Sequence, residues 1–264
     1  MAHKSVIGGN KGTDTSAIKL DMNTAQKSNI EFWDTIGSDL LGVTVLPHYG
    51  AFISEDKLHL FGDVRNKSLL EIGCGNGHSL KYVSDKGASE LWGMDISPMQ
   101  IERTKEYLTS YGINANLVCS SMESECDIPK GHFDFVYAIY AIGWTTDLNK
   151  TIRQICSYLK TGGTFIFSWS HPIHKCVSQE NGKMIFDNSY FDESWYSAPM
   201  EDKEIMLSNR KLSTYINALA QNGFMIEQLI EENDDDMFSE NSVSDFEKKA
   251  KMLPVTFVIK ARKL

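Results

Sequence analysis

Apolar residues in this chain fall in short runs bounded by polar or glycine positions, and between the runs they recur at helical spacing. The runs Ser68 to Ile72, Glu90 to Asp95, Ala115 to Cys119, Phe133 to Ala138 and Thr164 to Trp169 read as strands. Helical patterns separate them. One covers about His78 to Asp85. A second opens at Ser97-Pro98, an N-cap followed by an N1 proline, carries Ile101, Leu108 and Tyr111, and stops at Gly112. A third is capped by Asp147, carries Leu148, Ile152, Ile155, Cys156 and Leu159, and ends at Gly162-Gly163. Strand and helix in alternation predict an α/β fold with a mostly parallel sheet and helices on both faces.

The flanks break this rhythm. Lys27 to Leu41 shows an imperfect helical stripe of Ile30, Trp33, Ile36 (with Phe32), Leu40 and Leu41. Gly42 then opens a loop, Val43 to Phe52, before a short amphipathic piece with Leu58, Leu60 and Phe61. Residues 21–62 thus read as an N-terminal helical cap, either packing the core or covering what lies beneath. Residues 1–20, polar and glycine-rich without a signal-peptide core, read as a flexible tail. Residues 171–207 read as an insertion after the fifth strand, with a turn at Asn181-Gly182. A helix over Leu212 to Ala220 closes at Asn222-Gly223. Phe224 to Ile230 and Pro254 to Ala261 are the last strands, the final one antiparallel, and the acidic run Glu231 to Glu240 between them is a solvated loop. With no repeat or linker, residues 21–264 are expected to form a single domain.

Composition narrows the function. The 264 residues are 42% hydrophobic and 23% charged, as in ordinary globular proteins. A formal net charge of -9 disfavours nucleic-acid binding, which needs clustered Lys and Arg. No apolar run approaches the ~20 residues of a membrane span. Five cysteines without tight spacing (Cys74, Cys119, Cys126, Cys156 and Cys176) fit a reduced, cytoplasmic protein.

The chemistry gathers at Glu71-Ile72-Gly73-Cys74-Gly75-Asn76-Gly77-His78, where a strand breaks into alternate glycines and a helix follows. Glycine lets a ligand lie against the main chain, and the helix start offers unpaired N–H groups. A dinucleotide fold is one reading, but its G-x-G-x-x-G fingerprint has glycine where this chain has His78.

Four ordered motifs resemble the class I S-adenosylmethionine-dependent methyltransferases, in particular those acting on small molecules. They are Leu69 to Gly77, Gly93-Met94-Asp95-Ile96-Ser97, Phe133 to Ala138, and Leu159-Lys160-Thr161-Gly162-Gly163. The resemblance implies a Rossmann-like seven-stranded sheet and S-adenosylmethionine as cofactor. It implies further that Gly73, Cys74 and Gly75 cradle the methionine part, with Glu71 near its ammonium. Asp95 would hold the ribose hydroxyls, Ile96 and Met99 would flank the adenine, and Ser121 and Met122 would meet its edge. Ala138, Ile139 and Tyr140 would line the transferred methyl. Asp134 is expected to be structural.

A sulfonium is already activated, so proximity and orientation for in-line displacement can supply most of the rate, with a general base needed only for an acceptor that must lose a proton. The acceptor belongs beyond the carboxyl ends of the strands. Trp33, Tyr49, Trp144, His174, Tyr190 and Tyr196 are candidates there, and such aromatics suit an apolar or ring-containing small molecule. His171, directly after strand five, is a candidate base or else a turn residue bonded to backbone. His171, His174 and Cys176 lack metal-ligand spacing, so no metal is expected. Other classes remain: a cofactor-binding protein without transferase activity, or an NAD-dependent oxidoreductase.

Overall fold

The structure is a computed structural model that describes residues 22–35, 44–180, 182–238 and 244–264. The expected tail, Ile36, Leu40, Leu41, Gly42 and Asn181 lie outside the described residues, as does the end of the acidic run.

The helix α1 (Met22–Thr35) precedes a small antiparallel pair, β1 (His48–Gly50) and β2 (Ile53–Ser54), and the short helix α2 (Glu55–Leu58). The central unit is β3 (Ser68–Ile72), α3 (His78–Asp85), β4 (Glu90–Asp95), α4 (Pro98–Ser110), β5 (Asn116–Cys119), β6 (Phe133–Ile139), α5 (Leu148–Tyr158) and β7 (Leu159–Ser170). Next come α6 (Pro172–Lys175) and the hairpins β8–β9 (Val177–Glu180, Lys183–Phe186) and β10–β11 (Trp195–Met200, Lys203–Ser208). The chain ends with α7 (Leu212–Gln221), β12 (Phe224–Ile230), α8 (Asp245–Ala250) and β13 (Thr256–Lys263).

Seven strands form one sheet in the order β12-β13-β7-β6-β3-β4-β5. The strands from β3 to β7 run parallel, and β13 lies antiparallel between β7 and β12. The order reverses beside β3, and this switch point leaves a crevice at the strand ends. The two sheet faces bury separate apolar layers: Leu70, Val136, Phe165 and Phe257 in one, Leu69, Tyr137, Ile166 and Val258 in the other.

Three expectations need correction. The helix α1 already runs from Met22, earlier than its stripe predicts, and its buried face is Ala25, Asn29 and Phe32. A buried asparagine hides that face from a hydropathy pattern. Its amide is satisfied because Asn29 Nδ2 donates to Met206 O and Met206 N donates to Asn29 Oδ1, both at 2.9 Å. Gly162-Gly163 does not end α5. Leu159 already pairs with Phe133, and the glycines form a bulge before Thr164 pairs with Phe135. A Cβ on Gly163 would stand 2.9 Å from Lys160 O, so the bulge needs glycine. One residue of the acidic run departs from a solvated loop: Asp234 is buried and accepts from Lys57 Nζ at 2.6 Å, while Glu232, Asp235 and Asp236 are exposed.

Candidate active site

The loop after β3 is shaped by three positive backbone angles, φ 72° at Gly73, 50° at Gly75 and 80° at Gly77. Side chains could not follow this path cheaply. A Cβ on Gly73 would sit 2.5 Å from Ala141 Cβ, and one on Gly77 2.9 Å from Thr104 Cγ2. Both Gly73 N and Cys74 N donate to Met94 O, at 2.7 and 3.0 Å, which binds the loop to β4.

Two buried carboxylates face this loop. Asp95 accepts Gly75 N at 3.0 Å on Oδ2 and Ser97 N at 2.9 Å on Oδ1. Burial raises its pKa, and these backbone donors only partly offset that. Glu71 is 2% exposed, with the Tyr137 hydroxyl donating to Oε2 at 3.4 Å. Burial pushes its carboxyl well above the usual range, and the Asp95 charge adds to the push. Among the described residues no cation pairs with either acid.

A cleft lies over the loop, with about 870 Å³ of free space that includes the open solvent at its mouth. Glu71, Gly73, Cys74, Gly75, Asp95, Ile96, Met122, Ile139 and Tyr140 line it, and so do Trp33 and Trp144. The two indoles meet edge to face, with centroids 5.0 Å apart. Tyr140 holds φ 54° at the end of β6, an uncommon conformation for a bulky residue, while its N–H donates to Ser168 Oγ at 3.1 Å. This turn aims the chain from β6 across the cavity.

The other expected residues lie elsewhere. Met99 is 45% exposed and outside the cavity lining. Ser121 turns away to bond Ser124 Oγ at 2.7 Å, leaving Ser120 and Met122 on the cavity wall. Ala138 is sealed inside the sheet. Tyr49 is fully buried and donates to Glu55 Oε2 at 2.7 Å. Tyr190 accepts Leu212 N at the start of α7, and Tyr196 accepts Lys175 Nζ.

His171 caps α6, and both its ring nitrogens are committed. Nδ1 accepts Ile173 N at 3.1 Å, and Nε2 bonds Glu231 Oε1 at 2.6 Å. It does not line the cavity, and its contacts are those of the turn reading. His174 is also buried outside the cavity. Burial, with Lys249, His171 and Lys175 nearby, pushes its pKa down to about 3.

Glu123, Gln26, Thr44 and Val45 line the cavity without any sequence signal. Glu123 is 5% exposed and accepts from the Thr145 hydroxyl at 2.7 Å and from Gln26 Nε2 at 3.3 Å. Its partners lie far away along the chain, which is why spacing could not reveal it. The end of α1 is tied over Asp95: Ser97 Oγ donates to Asp34 Oδ1 at 2.5 Å, and Gln100 Nε2 donates to Trp33 O at 2.9 Å.

This donor set fits a cationic nucleoside. An unpaired buried acid stands ready for an ammonium, a strand-end aspartate for ribose hydroxyls, and Ile96 and Met122 for a flat base.

Comparison with known proteins agrees. A methyltransferase-domain family model matches residues 48–229. An uncharacterized Haemophilus influenzae protein is 27% identical over 66% of this chain and 73% of its own length. A sterol 4-C-methyltransferase of Caenorhabditis elegans is 34% identical over 38% of this chain, which spans only 30% of that protein. An S-adenosylmethionine-dependent methyltransferase from Mesorhizobium loti superposes with TM-score 0.63 at 21% identity, covering 80% of this chain and 98% of its own.

Proposed function

The chain belongs to the methyltransferase-domain family as an S-adenosylmethionine-dependent enzyme, and from that premise we propose that it methylates a small-molecule acceptor by in-line displacement. The single observation that carries the reading is the uncompensated pair Glu71 and Asp95 facing a glycine loop across one cavity.

When bound, the cofactor supplies a methyl on a sulfonium that is already a good leaving group. The protein's part is to hold and exclude. Glu71 would take the ammonium, directly or through water, and so gain the counter-charge it lacks. Asp95 would accept the ribose hydroxyls on the lone pairs left by Gly75 N and Ser97 N. Ile96 and Met122 would pack the base, with Glu123 and its threonine partners closing the polar edge. Tyr140, Trp33 and Trp144 would exclude water where the methyl meets its acceptor.

Several features support a small acceptor. The cavity is of small-molecule size, and its acceptor end is aromatic. The net charge of -9 opposes a polyanionic substrate such as nucleic acid. Among the described residues no helix is long and apolar enough to cross a membrane. The five cysteines are free thiols, in keeping with a cytoplasmic location. With His171 committed to its cap, the alignment of the reactants is the main source of rate.

Calorimetry with S-adenosylhomocysteine tests the reading. Binding to the folded protein that is clearly weakened in Asp95→Ala is expected. A folded protein that takes up no S-adenosylhomocysteine would overturn it.

A further inference from the structure

Beyond Trp144 lies a charge that the cavity does not use. Lys175, the last residue of α6, donates from Nζ to the Tyr196 hydroxyl at 2.6 Å, with the ammonium 4.9 Å from the same ring's centre. Arg210, between β11 and α7, donates from Nη1 to Gly143 O at 3.2 Å and from Nη2 to Thr145 O at 2.5 Å. Those two carbonyls flank Trp144 in the chain, so the guanidinium braces the turn that carries this residue of the cavity wall. Tyr196 packs against the same apolar cluster as Trp144.

Both cations are half-buried, and neither has a carboxylate partner among the described residues. Glu193, whose charge reaches Tyr215 beside Arg210, is already held by Lys211 Nζ at 2.9 Å and by the Thr214 hydroxyl. Burial, and to a lesser extent the Arg210 charge, hold Lys175 down at about 8. Spare donors remain. An ammonium has three N–H groups and a guanidinium five, while Lys175 uses one on Tyr196 and Arg210 uses three, on Gly143 O, Thr145 O and the Tyr215 hydroxyl.

We propose that Lys175 and Arg210 form the docking site for an anionic group, a carboxylate or a phosphate, carried by the methyl acceptor. The Tyr196 hydroxyl orients the ammonium, the backbone of the Trp144 turn orients the guanidinium, and Trp144 separates the anion from the methyl. The assignment rests on the small-acceptor reading of the cavity and adds the acceptor's charge to it.

The test uses the full chain saturated with S-adenosylhomocysteine. Inorganic phosphate or benzoate is titrated in at fixed ionic strength, and thermal melting is followed. A ligand that binds the native state raises the melting temperature. One of the two anions should stabilise the wild type, and which one does so distinguishes phosphate from carboxylate. Lys175→Met keeps the aliphatic stem and should weaken the apparent affinity about tenfold or more. Tyr196→Phe removes only the orienting hydroxyl and should weaken it less, which keeps the test valid if the first variant folds poorly. Equal stabilisation of the wild type and both variants would overturn the proposal, and so would no stabilisation by either anion. If S-adenosylhomocysteine itself does not bind, the cofactor reading fails instead. The same titration on ligand-free protein still reports on the anion site.

Discussion

The two ends around Trp144 carry ionisable groups of opposite kind, each without a partner of the other sign among the described residues. Among the described residues, Glu71 and Asp95, toward β3 and β4, are buried without a cation, and Lys175 and Arg210, toward β10 and α7, stand without an anion. In water such groups would be solvated at no cost. Inside a protein each unpaired charge is destabilising until a partner completes it. Each flank is therefore suited to a ligand of the other sign.

The Trp144 turn gives the largest expected effect. A Cβ on Gly143 would lie 1.7 Å from a ring carbon of Trp169, so Gly143→Ala must displace the Trp144 turn. It should cost about 3 kcal/mol or more of stability by overpacking. It should also weaken S-adenosylhomocysteine and anion binding together, as read by melting and calorimetry. Loss of only one would show that the flanks are independent.

Asp95→Ala comes next and should act on one flank only. Loss of hydrogen bonds to a charged group predicts weaker S-adenosylhomocysteine binding by about 2 kcal/mol. Anion stabilisation should remain unchanged in the ligand-free protein.

A smaller effect follows from Glu71. Burial raises its folded pKa above the unfolded value, so the folded state holds the proton more tightly. Stability from this group is then fully present below the unfolded pKa and falls as pH rises through the window up to the folded pKa. Glu71→Gln should therefore melt higher than the wild type at pH 7 when ligand-free, and this advantage should shrink at pH 4. It should bind S-adenosylhomocysteine less well at pH 7. A melting temperature unchanged at neutral pH would show that the acid is already compensated.

The smallest effect is expected at His171. Removing a helix cap costs about 1 kcal/mol. His171→Ala should lose about that in chemical denaturation, while methyl transfer to an acceptor found by screening keeps its rate. A large fall in turnover at constant stability would restore the base role.

The sheet was legible because its signals are local. Ser97 accepts Gln100 N and Asp147 accepts Lys150 N as N-caps, at the positions where the capping pattern predicts them. The strands from Ser68 to Trp169 are apolar runs that need no distant partner to be seen. The cofactor end of the site shares this property, because a glycine loop and a strand-end acid are close neighbours in sequence. The acceptor end does not. Glu123 is explained only by Thr145 and Gln26, and Lys175 only by Tyr196 and Arg210. The β10–β11 hairpin was missed because its turn uses Glu201 at φ 51° where glycine or asparagine would have announced it. Charge balance across space, and not residue type along the chain, distinguishes these groups from surface charges.

The fastening of α1 has a dynamic consequence. The helix is bonded at its middle to β11 through the paired amide of Asn29, and at its end to α4 through Asp34 and Trp33. A flap hinged at one end would open by breaking one set of contacts, but a beam supported at two points must release both. Its opening free energy then follows that of the β10–β11 hairpin it is bonded to, not that of fraying loops. The backbone amides of α1 should exchange their hydrogens as slowly as those of β11, and ligands should enter beneath the beam, through the mouth of the cavity, while it stays in place.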